Sequence, residues 1–156
     1  MAIALILSSQ APADAEEPIP PIDVYDAVFV SDAAVCEAAA ATDLSNALFE
    51  YNASAIVPRH WKLAPEMSCS FDRVESEPSE TGEQLYVWAH CQTIDAAYDD
   101  FLWIAARAPI DAATSKAGPF GSMIEVSSSH ADETMGQATL WPYYRCDDLD
   151  PDTVKR

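Results

Sequence analysis

Four cysteines constrain this chain more than any other feature. Cys36, Cys69, Cys91 and Cys146 are widely spaced and form no CxxC pair. That argues against a zinc site and for two disulfides in an oxidising compartment. Four cysteines allow three pairings. Two of them lie in segments, MSCSFDRV (67–74) and QLYVWAHCQTI (84–94), that alternate apolar and polar residues as half-buried strands do. Between these segments, Pro78, Ser79, Thr81 and Gly82 supply turn chemistry. With the loop centred near Ser79 and Glu80, Cys69 faces Cys91, Phe71 faces Ala89 and Arg73 faces Val87. One face then carries Met67, Cys69, Phe71, Leu85, Val87, Ala89 and Cys91, a coherent core face. The register predicts a Cys69–Cys91 bridge and, by elimination, Cys36–Cys146. The second bridge would contribute about 4–5 kcal/mol in the chain-entropy model.

The N-terminus bears on the compartment. Residues 1–15 hold an apolar stretch, Ala2 to Leu7, and end in Ala13-Asp14-Ala15. Small residues at the third and first positions before a cut are the signal-peptidase pattern, although no Lys or Arg precedes the apolar stretch. The expectation is a signal peptide over 1–15, a Pro-rich acidic leader over 16–23, one disulfide-stapled domain over 24–147 and a polar tail over 148–156. Export would place the protein in a periplasm or outside the cell.

The remaining elements read as α+β. Residues 24–51 read as helix in one or two pieces, with Ser31 and Thr42 as N-caps. Residues 53–66, holding Pro58 and Pro65, read as an irregular connection. Asp95 is placed to cap a further helix in which Ala97, Tyr98, Phe101, Leu102 and Ala105 form an apolar stripe. A second strand pair follows over 122–127 and 136–146, joined by a loop. Pro142 in the last strand implies an edge, a bulge or a break. The predicted architecture is N-terminal helices, β-hairpin, helix and β-hairpin, with the helices packed on one face of an antiparallel sheet.

The net charge is −18, from 26 acids against 8 bases. Phosphate contacts need a basic face, so nucleic-acid binding of the usual kind is excluded, and the same charge argues against docking on anionic membranes. Steering toward a cationic protein remains open. No GxGxxG, phosphate loop or GxSxG elbow occurs, and His60, His90 and His130 show no metal-ligand spacing, so no cofactor and no metal are expected. Adjacent strand residues point to opposite faces, which separates His90 from Cys91 and removes the obvious nucleophile–base pair. Ser127, Ser128, Ser129, His130 and Asp132 offer triad chemistry without an oxyanion hole; loop polarity explains them equally well.

The candidate binding face is the outward side of the first hairpin: Tyr86, Trp88, His90 and Gln92, with Asp72, Ser68 and Ser70 opposite. Aromatics among short polar residues are the composition of a binding patch. The sequence therefore points to an exported, acidic, disulfide-stabilised binding module without chemistry of its own, an inhibitor of or adaptor for a cationic protein. A small secreted hydrolase using His90 or His130 with a carboxylate is one alternative, and a structural envelope component another.

Overall fold

The computed structural model describes residues 27–64, 67–80 and 82–152. The expected signal peptide and leader lie outside these residues, as does the end of the tail. Eight strands run in chain order around a closed antiparallel barrel. They are β1 (Phe29–Val30), β2 (Ala55–Val57), β3 (His60–Ala64), β4 (Met67–Ser79), β5 (Gly82–Gln92), β6 (Ala97–Arg107), β7 (Met123–Ser128) and β8 (Trp141–Arg145). Two short helices, α1 (Ala34–Ala41) and α2 (Leu44–Glu50), separate β1 from β2; a third, α3 (Ser129–Met135), separates β7 from β8. The barrel closes where β1 pairs with β8, Phe29 opposite Arg145 and Val30 opposite Tyr144.

This overturns the expected α+β sheet with helices on one face. The largest error lies at residues 97–107, expected as helix and found as β6. AYDDFLWIAAR satisfies both periods, because its stripe at helical spacing coexists with alternation of Tyr98, Leu102, Ile104 and Ala106. An inward acid, Asp100, interrupts that alternation. Aromatic and β-branched content decides for the strand, since these side chains pack well on a pleated surface. The stretch over 53–66 contains β2 and β3, joined by a turn in which Arg59 takes φ 63° after Pro58.

Two apolar cores explain why β1 and β2 were hidden. Inside the barrel, Phe29, Ile56, Trp61, Leu102, Ile104 and Tyr143 meet. Outside it, Val28 just before β1, Val30 of β1, and Ala55 and Val57 of β2 pack against Val35, Ala39, Leu44, Ala47 and Leu48 of the helices. Strands buried on both faces read as continuous apolar runs rather than alternating ones. Neither expected cap holds: Asp43, not Thr42, accepts from Asn46 N at the start of α2, and Asp32, not Ser31, accepts from Ala34 N at α1.

The first hairpin forms as read near the cysteines. Cys69 pairs with Cys91 and Phe71 with Ala89; a bulge then shifts Arg73 from Val87 to Trp88. The strands continue to Ser79 and Gly82, so the turn is shorter than expected. Both expected disulfides are present, Cys69–Cys91 and Cys36–Cys146, and they fit an oxidising, exported compartment. The second strand pair also forms, as β7 and β8, but α3 replaces the expected loop. Tyr143 points into the barrel. Pro142 pairs only toward β7, because β1 reaches no further than Tyr144; its missing N–H costs no ladder bond there.

Candidate functional site

One mouth of the barrel opens into a cavity of about 670 Å³. Small eight-stranded barrels either fill their interior with side chains or hold one small ligand. Here the deep interior is filled and the mouth is not. Trp61 and Tyr143 form its floor. Trp141, Tyr98, Met67 and Met135 line its wall, with Ala96 and Thr93 in the turn between β5 and β6. Among the described residues, no Lys or Arg lines it.

Each wall has a local cause. Trp61 and Tyr143 occupy inward positions on β3 and β8 and meet edge to face, ring centroids 6.5 Å apart. The Trp61 indole N–H donates to Tyr143 Oη at 2.8 Å, and Ser54 Oγ lies 2.7 Å from the same oxygen. Burial raises the Tyr143 phenol pKa, opposed by its hydrogen bonds with Ser54 and Trp61. Tyr98 stacks on His130, centroids 3.9 Å apart, and its hydroxyl reaches Met67 Sδ. Burial raises the Tyr98 phenol as well, with the neighbouring Asp100 charge adding to the effect.

Asp100 anchors the helix that roofs the mouth. Its Oδ1 accepts from Phe101 N, Ser129 Oγ and His130 N, and its Oδ2 accepts from Ser128 Oγ at 2.6 Å. Ser128 Oγ in turn caps α3 by accepting from Ala131 N, and Gly136 ends the helix with φ 70°. No residue of α3 is fully buried, yet Ala131, Thr134 and Met135 face the cavity. The helix is therefore held mainly by polar contacts at its start, and its inner face borders empty space.

The residues singled out from the sequence lie elsewhere. Tyr86, Trp88, His90, Gln92 and Asp72 are all on the outer surface of β4 and β5, as strand alternation required. The structure joins the aromatics to β6: Phe101 stacks on Tyr86 and meets Trp88 edge to face. Arg73 lies 3.6 Å above the Trp88 ring and pairs with Glu75. This strip thus carries its own cation and its own stacking partners. His90 Nδ1 lies 2.9 Å from Asp99 Oδ1 on the exposed outer face, not in a cavity. Gln92 and Asp72 are exposed. The serines of the triad candidate are spent on Asp100 and Asp132. No cluster of three potential metal ligands occurs among the described residues.

Sequence reasoning missed the mouth because its residues are scattered from Ser54 to Tyr143. Fragments were visible. Ser128 to His130 stood out as polar. Nothing local showed that they converge.

Fold and site together define a small closed antiparallel barrel with a ligand-sized, mostly apolar mouth. No protein-family model, curated protein or solved structure matches the chain, so its functional reading rests on this geometry.

Proposed function

We propose that the protein binds one small, predominantly apolar molecule in the mouth of the barrel, and carries or sequesters it without altering it, in a periplasm or outside the cell. The observation that carries this reading is the cavity of about 670 Å³ walled by aromatic and methionine side chains. Its volume lies within the ~300–1,000 Å³ of small-molecule sites, and such sites combine apolar walls with a few placed polar groups. The cavity takes precedence over the outer aromatic strip, which partners itself through Arg73 and Phe101. The charge of −18 then serves solubility. No observation favours a hydrolase or an envelope component.

An uncharged fluorescent dye such as Nile red tests the proposal. Saturable binding is expected, with emission shifted to the blue and the fluorescence of Trp61 and Trp141 quenched. Ala131→Trp and Thr134→Trp push bulk into the cavity from α3 and should weaken binding by about tenfold or more, a loss of ~1.4 kcal/mol, with unchanged circular dichroism. Dye binding that is absent, or indifferent to both variants, would refute the reading.

A further inference from the structure

Among the described residues, the floor of the mouth holds a hydroxyl proton with no partner. Tyr143 Oη accepts from the Trp61 indole at 2.8 Å and lies 2.7 Å from Ser54 Oγ. Two hydroxyls share that second contact, and only one of them can donate in it. If Tyr143 donates, the Ser54 proton is left over; if Ser54 donates, the Tyr143 proton is left over. Either way the pair offers one spare O–H donor, and both residues line the cavity.

The charges around the cavity narrow the choice further. An anion would need a cationic partner; among the described residues no Lys or Arg lines the wall, and the ring of His130, the one histidine there, is stacked on Tyr98. A cation would need a free carboxylate. Asp100 lines the cavity, but its two oxygens already accept from Ser128, Ser129 and two backbone N–H groups. A charge left unpaired in an apolar pocket is costly.

We propose that the ligand is an uncharged, mostly apolar molecule bearing an acceptor oxygen of the carbonyl type, which takes the spare proton of the Tyr143–Ser54 pair. This rests on the mouth being a small-molecule site. A leftover buried donor penalises a ligand that cannot accept, so the site discriminates as well as binds.

A matched pair of compounds tests it: benzophenone, and diphenylmethane, which lacks the carbonyl. The native protein should bind benzophenone about tenfold or more tightly, the worth of a hydrogen bond of ordinary strength. The infrared carbonyl band of bound benzophenone should lie below its position in hexane. Ser54→Ala should keep both effects, because it frees the Tyr143 proton. The triple variant Ser54→Ala/Trp61→Phe/Tyr143→Phe, which removes the Trp61 N–H freed by loss of the phenol as well as both hydroxyls, should lose the preference and the band shift while still binding diphenylmethane, which shows that its mouth remains intact. Equal native affinities, or an unshifted band, overturn this inference alone and leave the carrier reading standing. Failure of both compounds to bind overturns the two together.

Discussion

Tyr143 joins the core to the cavity. It is almost fully buried, it accepts from Trp61, and it touches Ser54. Removing its hydroxyl leaves the Trp61 N–H without its acceptor, and a buried donor left unpaired costs about 1–3 kcal/mol. The same hydroxyl shapes the response to alkali. Burial lifts the phenol above its ordinary value of 10.0. The unfolded chain therefore releases this proton at a lower pH than the folded one. The stabilisation from keeping it is complete below the unfolded value and is lost as pH rises through the folded one. Tyr98, raised by burial and by Asp100, acts in the same sense. We expect urea midpoints to hold up to about pH 10 and to fall above it. Tyr143→Phe should start lower at pH 8 but fall less between pH 8 and pH 11. An equally steep decline in the variant would remove Tyr143 as the cause.

At the scale of elements, β4 outruns its neighbour. β3 pairs with it only from Met67 to Ser70, while β5 follows it to Ser79. Among the described residues, no strand pairs with the stretch from Asp72 to Pro78 on the side away from β5, and unpaired edges recruit other strands unless charge or proline blocks them. Glu75, Glu77 and Pro78 sit there, all exposed. Glu75→Val/Glu77→Val/Pro78→Val should make the protein associate in a concentration-dependent manner that the native chain does not show, read by sedimentation velocity. Native-like sedimentation of the variant at every concentration would remove the blocking role. The same strands show what could be read in advance. The Cys69 and Cys91 segments have one wet face and one dry face, so alternation, register and bridge were all legible. β1 and β2 are dry on both faces and leave no alternation to find. β6 carries Asp100 at an inward position, and that acid lines the mouth of the barrel. The residue that misled the assignment of β6 is thus one that builds the site.

For the whole molecule, closure is the long-range event on which the mouth depends. The seam between β1 and β8 is two residue pairs long, supplemented by the bond from Cys146 N to Val28 O at 2.8 Å. No local pattern announces it, because its partners stand at opposite ends of the domain. Cys36–Cys146 bridges the helices after β1 to the residue after β8, and so spans this short seam. Its loop closes over 110 residues, against 22 for Cys69–Cys91, which lies inside a hairpin already held by a long ladder. Chain entropy assigns about 5 kcal/mol to the long bridge and about 3 to the short one, within a total stability of ~5–15 kcal/mol for domains of this kind. Cys36→Ala/Cys146→Ala should therefore lose more stability than Cys69→Ala/Cys91→Ala in urea unfolding. The location of the damage should differ as well. Hydrogen exchange in the first variant should rise in β1, β8 and α1 while β4 to β6 stay protected, because opening the seam leaves the long hairpins intact. It should also weaken dye binding, since Tyr143 and Trp141 on β8 and Ser54 beside β2 hold the mouth from either side of the seam. If the hairpin bridge proves the more costly to remove, or if exchange rises evenly around the barrel, the seam is not the weak point of the fold.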